Sequence, residues 1–254
     1  MASEYIYVHL DSVTNHVLSK GITVVDFQQT LKKIPNNILL LNTEKGIGEY
    51  ETHTGFRIVR DRENVRRFLE EAGRSEIKYK WVDFENLELL RQLTPVEISE
   101  LLYIAHAHTH LHSPFYYKLQ NNYIYLTLSD GMNKVYYRYL DQFYNLLGKS
   151  IREALEAKIN EKRNFFQKSK VIEKLPLETI KEIVPYLKEG VLLSLKHVTV
   201  EGDCYCIPIY LLEDRLRAIN TNSFSGKDLV GVVCYNQETG SWTVEEKLPL
   251  LSSI

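Results

Sequence analysis

Residues 115–140 read FYYKLQNNYIYLTLSDGMNKVYYRYL, and the way this stretch is divided decides the fold class. Three short, tyrosine-rich segments, FYYKL, YIYLTLS and KVYYRYL, are separated by Asn121-Asn122 and Asp130-Gly131. Such pairs tolerate the positive φ angles of two-residue hairpin turns, so a three-stranded antiparallel meander is expected. Two-residue turns also set the register: Leu126 should oppose Val135, Tyr125 should oppose Tyr136, and Lys118 should oppose Tyr125. One face then collects Phe115, Tyr117, Leu119, Ile124, Leu126, Leu128, Val135 and Tyr137, a surface for helices to cover. The other collects Tyr116, Lys118, Tyr123, Tyr125, Lys134, Tyr136 and Arg138.

Helices are expected on both sides of the meander. Upstream, Thr94, Pro95 and Glu97 form a helix start with N-cap, first-turn proline and capping box, and the helix should run to Ser113-Pro114. Its apolar stripe is read as Ile98, Leu101, Leu102 and Ala105. Downstream, Phe143, Leu147, Ile151, Ala154, Leu155 and Ile159 recur at helical spacing from Asp141 to about Gln167.

Farther out, YIYVHL, NILLLN, FRIV and IKYKWVDF read as strands, and DFQQTLKK as a helix. Asp61 caps a helix over Arg62–Ala72 that Gly73 stops. KGIGEY, with a Gly-x-Gly but no helix start after it, reads as a turn. The last third carries a helix near LETIKEIV, a hairpin of VLLSLKHVTV and CYCIPIYLL through Gly202-Asp203, a short helix near EDRLRAI, a polar loop NTNSFSGKD, and a final hairpin closed by QETG. The fold class is α+β, mixed helices with an antiparallel meander and hairpins and no transmembrane segment. Three portions are expected, 1–92, 93–170 and 171–254, within what can be one continuous domain.

The 254 residues can bury a core without staples, and 44% hydrophobic with 25% charged residues excludes gross disorder. The N-terminus lacks a basic stretch followed by an apolar one, and no apolar run is long enough to span a bilayer, so a cytoplasmic location is expected. Cys204, Cys206 and Cys234, an odd number in such a chain, are expected to be reduced thiols. With Thr199 and His197, the pair Cys204 and Cys206 shares a face of the C-terminal hairpin, where a zinc or redox site is one alternative and small buried hydrophobes the other. A net charge of −2 gives no global attraction to nucleic acid or anionic lipid.

Half of the eight histidines, His106, His108, His110 and His112, lie in AHAHTHLHS. Imidazole is the commonest metal ligand. On a helix they form two i, i+4 pairs, His106 with His110 and His108 with His112. The string HTHLH resembles the metal-binding HxH motif of amidohydrolase and PHP-type hydrolases, where the pair sits at a strand end of a barrel. That resemblance implies a divalent metal such as zinc, held by two or more of the four histidines with a further ligand from Asp130, Asp141 or His197. In those families further ligands come from later strands; here only His197 follows, and the remaining chain is too short to complete a (β/α)₈ barrel. The alternative without metal is two histidines satisfied in the core and two in solvent.

No Walker A string, HExxH, Gly-x-Ser-x-Gly or kinase signature is present. The expected function is a non-catalytic, cofactor-free binding or regulatory protein presenting its tyrosine, lysine and arginine sheet face to a macromolecular partner. A protein partner or a homo-oligomer is favoured over nucleic acid, although rings interleaved with cations also suit single-stranded nucleic acid. The alternative function is a metal-dependent hydrolase built on His106–His112, whose ion would supply hydroxide near neutral pH.

Overall fold

The computed structural model describes residues 3–42, 47–75, 77–128, 131–161, 169–212 and 228–247. In chain order, its first elements are β1 (Tyr5–Asp11), β2 (His16–Lys20), α1 (Val24–Thr30), β3 (Asn37–Leu40), β4 (Glu49–Tyr50), β5 (Arg57–Arg60) and α2 (Arg62–Ala72). Then come β6 (Lys80–Phe84), α3 (Leu87–Leu90), α4 (Pro95–Ala107), β7 (Tyr123–Thr127), β8 (Asn133–Tyr137) and α5 (Asp141–Asn160). The last are α6 (Leu177–Glu189), β9 (Val191–Ser194), β10 (Thr199–Glu201), β11 (Cys204–Leu211), β12 (Leu229–Asn236) and β13 (Trp242–Glu246). The architecture is mixed α+β with antiparallel strand pairing. Among the described residues no helix is long and apolar enough to cross a membrane. The expected helix near EDRLRAI and most of NTNSFSGKD lie outside the described residues.

Two compact units divide the chain. One comprises residues 1–12, 18–22 and 143–254, the other residues 13–17 and 23–142, so the split does not follow the expected boundaries at 92 and 170. In the first unit the strands run in the order β13-β12-β11-β9-β1, with β10 added to β11. VLLSLKHVTV therefore makes two strands, β9 and β10, and β10 pairs Thr199 opposite Cys206 through the expected turn at Gly202-Asp203. Helix α6 covers β1 and β9 with Ile180, Ile183 and Leu187, all buried.

The second unit orders its strands β8-β7-β6-β3-β5-β4. Helices α1 and α2 cover it because each has a local start signal and one apolar face. Thr23 and Asp26 form a capping box for α1, which buries Phe27; Asp61 caps α2, which buries Val65, Phe68, Leu69 and Ala72.

Three expectations are corrected here. FYYKL is not a strand: residues 115–116 are irregular and 117–120 form a turn, and Asn121 pins the segment by accepting from the Tyr116 N–H (2.8 Å) and donating to the Pro114 carbonyl (3.0 Å). Helix α4 ends at Ala107 rather than at Ser113, because His108 adopts a left-handed conformation (φ 58°, ψ 23°) and closes the last turn. The register of β7 and β8 is displaced by one residue: Tyr125 faces Val135, Ile124 faces Tyr136 and Leu126 faces Lys134. The cause is loop length. Leu128 N–H donates to the Met132 carbonyl (2.8 Å), so three residues connect the strands, with Gly131 at φ +70°. A one-residue slip exchanges the two faces of the whole strand.

Candidate functional site

The register displacement decides where the expected binding residues go. Val135 and Tyr137 share a face with Tyr123 and Tyr125, while Lys134 and Tyr136 share the other with Ile124 and Leu126. Both faces are covered. Tyr125 stacks flat on Trp81 of β6, with centroids 4.2 Å apart and planes within 6°. Phe27 meets Tyr123 and Tyr125 edge-on at 4.9 and 5.0 Å, and Phe68 meets Trp81 at 5.6 Å. Burial raises the Tyr123 and Tyr125 hydroxyls well above their usual pKa.

The expectation of an exposed ring platform is therefore corrected: Tyr116, Tyr123, Tyr125 and Tyr136 are all buried. Alternation of tyrosine with lysine and arginine reads as a wet face, but here the cations reach internal acceptors. Lys118 Nζ donates to Glu97 Oε2 (2.8 Å) and the Gln92 carbonyl (2.8 Å). Lys134 Nζ donates to the His108 carbonyl (2.7 Å) and lies 5.2 Å from the Tyr136 ring centre. Arg138 Nε donates to the Asn121 carbonyl (2.7 Å), with its guanidinium over Phe115.

The four histidines do not converge either. His106 is exposed on α4. Lys80 Nζ lies 2.9 Å from His108 Nε2 and donates to the Ala105 carbonyl at 2.5 Å, and burial lowers the lysine pKa. That nitrogen is thus already engaged by an amine. His110 packs edge-on to Tyr136 at 5.5 Å, and His112 Nδ1 is paired with Glu100. Of the further ligands considered, Asp130 lies outside the described residues, and His197 Nδ1 hydrogen-bonds Ser194 Oγ (2.9 Å). Asp141 lines a cavity of about 420 Å³ with Asp83, Glu85, Asn122, Tyr123 and Gln142. Among the described residues no group of three His, Cys, Asp or Glu side chains gathers around one point.

Asp83 is the most constrained polar group of that cavity. At 2% exposure its carboxylate accepts from the Asn122 N–H (2.9 and 3.0 Å), Asn122 Nδ2 (3.0 Å) and the Tyr123 N–H (2.8 Å). It anchors the entry to β7. Burial outweighs these donors and pushes its pKa up to about 6.

The surface that stands out is one the sequence reading passed over. At 100° per residue, α4 turns Val96, Ser99, Leu102, Tyr103, His106 and Ala107 outward, and all six are exposed. Leu101, Ile104 and Ala105 face the core, so Leu102 does not belong to the buried stripe. The outward face carries no lysine, arginine, aspartate or glutamate. Val96 is 65% exposed, Leu102 41% and Tyr103 39%. The segment after the helix folds back on it through His112 to Glu100 and Lys118 to Glu97, adding Leu111 at 61% and Tyr117 at 85%. Those contacts engage the two flanking acids. Burial pushes Glu97 up, but Lys118 and the Thr94 cap hold it below the usual carboxylate range. The signal was present in the sequence: α4 carries apolar residues on both sides, which marks a helix covered on both.

No family model, no curated protein and no solved structure matches this chain.

Proposed function

We propose that this protein is a non-catalytic binding protein that acts as a self-associating unit, with the outer face of α4 set against the same face of a second copy. The observation that carries the reading is the uncharged, apolar outer surface of α4, continued by Leu111 and Tyr117. A two-fold pairing sets a patch against its own copy, so the absence of lysine, arginine, aspartate and glutamate from it removes their like-charge conflicts. Exposed tyrosines and leucines supply contact area, and the loss of their hydration favours the pairing.

The same feature separates this reading from its neighbours. Nucleic acid needs lysine or arginine toward phosphates, and the outer face has neither. An interfacial membrane helix is rich in basic residues on its polar side, which α4 also lacks.

Sedimentation over a roughly hundredfold concentration range tests the proposal, because dimer population follows mass action. The expected result is a monomer–dimer equilibrium in the wild type. Leu102→Glu with Tyr103→Glu should give a monomer throughout, with the melting temperature of the wild type at high dilution. A wild-type protein that stays monomeric, or a charged variant that still dimerises, would overturn it.

A further inference from the structure

Strands β11 and β12 pair from Cys204 opposite Asn236 to Tyr210 opposite Leu229, and this ladder places Cys206 directly across from Cys234. The two are joined in a disulfide across 28 residues of sequence, which corrects the expectation of three reduced thiols. Cys204 remains free and half-buried. It stands two residues from Cys206 on the same face of β11 and packs against the buried cluster of Cys206, Val232 and Cys234. Asn236 Nδ2 donates toward Cys204 Sγ at 3.4 Å.

We infer that Cys204, Cys206 and Cys234 form a thiol–disulfide exchange centre whose external partner is a low-molecular-weight thiol of the glutathione class. Three features carry this. The backbone ladder holds the strands together whether or not the bond is present, so the sulfurs stay in place through a redox cycle. The bridge itself is buried, with Cys206 at 7% and Cys234 at 3% exposure, whereas Cys204 is more accessible. Two residues of one strand are separated by about 6.6 Å at their Cα atoms, within the range a disulfide spans.

Exchange starts when Cys204 gives its proton to solvent and its thiolate attacks Cys206 Sγ. The Cys204–Cys206 bond forms, the Cys206–Cys234 bond breaks, and Cys234 leaves as a thiolate that takes up a proton. Oxidation state is conserved in this step. An external thiolate then attacks Cys204 Sγ, giving a mixed disulfide and a Cys206 thiolate. A second external thiolate attacks the external sulfur of that mixed disulfide and releases Cys204. In sum, one protein disulfide and two small thiols become two protein thiols and one small disulfide.

The test uses the full chain, first equilibrated with oxidised glutathione and then mixed with reduced glutathione. Acid quenching, alkylation and peptide mapping follow each cysteine with time. The wild-type bridge should open at least about tenfold faster than that of Cys204→Ser, because the accessible thiol is then missing. A Cys204–Cys206 linkage should be trapped transiently. In Cys234→Ser, oxidised glutathione should install the Cys204–Cys206 bridge outright, a result that does not depend on the native bond. Equal opening rates in wild type and Cys204→Ser would overturn the inference. So would three free thiols in the oxidised wild type, or a Cys234→Ser variant that forms no bridge.

Discussion

Asp83→Asn should change how stability depends on pH, in a direction opposite to ordinary acid denaturation. Asp83 has its pKa raised from 3.8 to about 6 in the folded protein, because burial outweighs the four hydrogen-bond contacts it accepts. Between these values the folded state binds the proton that the unfolded chain has released. Its contribution is therefore fully present below about pH 4 and is lost as the pH rises through about 6. A displacement of roughly two pH units corresponds to about 3 kcal/mol. Asparagine is close to isosteric and keeps an oxygen for the Asn122 and Tyr123 N–H groups, but it does not titrate. At any single pH the offset between the two proteins mixes weakened hydrogen bonds with relieved charge burial; the change of that offset with pH isolates the titration. Urea unfolding can be followed by the fluorescence of Trp81 and Trp242, both buried. From about pH 4 to about pH 7 the wild type should lose about 3 kcal/mol relative to Asp83→Asn. Parallel profiles, or a wild type that gains relative stability as the pH rises, would refute the reasoning. Taking the difference also removes Glu51 and Glu97, whose lowered pKa values act in the opposite sense and are shared by both proteins.

Gly21 has φ +87°, and a Cβ there would meet the Tyr5 carbonyl oxygen at 2.1 Å. Gly21→Ala should cost about 2–4 kcal/mol, read as a lowered urea midpoint. Asp61 caps α2 from φ 61°, ψ 152°, a region that favours glycine. Asp61→Ala, which loses the cap and keeps the strain, should therefore destabilise by about 1–2 kcal/mol, while Asp61→Gly should be nearly neutral in the same unfolding experiment.

Elements with local signals were legible in the sequence, because a cap and an apolar stripe lie within one or two turns of each other. Thr94 with Pro95 and Glu97, and Asp61 with Gly73, bracket or open their helices where expected. The end of α4 was not legible, because a left-handed His108 is stabilised by distant partners, Lys134 and Tyr136 at its carbonyl and Lys80 at its ring. Strands β1, β3, β5 and β6 were recognisable from composition, whereas β2, whose HVLSK does not alternate, and the four-residue α3 left no periodic trace. The candidate site divides in the same way. Tyrosine and lysine in alternation imply one wet face, but Trp81 and Phe27 cover the rings from elements far from β7 in sequence. The Cys206–Cys234 pairing likewise depends on a register between strands that a long connection separates.

The three-residue connection between β7 and β8 makes its length more consequential than its composition. Gly131 has open space around its Cα, and its positive φ is what favours glycine there. A change in how many of these residues form the turn is a different event. If the strands re-paired through a two-residue turn, Lys134 and Tyr136 would rotate toward Phe27 and Trp81, and Val135 and Tyr137 would rotate away from them. A basic side chain would then enter an aromatic layer, and Tyr136 would surrender its hydroxyl contact to the His108 carbonyl. Along this hairpin, the number of residues taken up by the turn decides which face of β8 meets the aromatic layer.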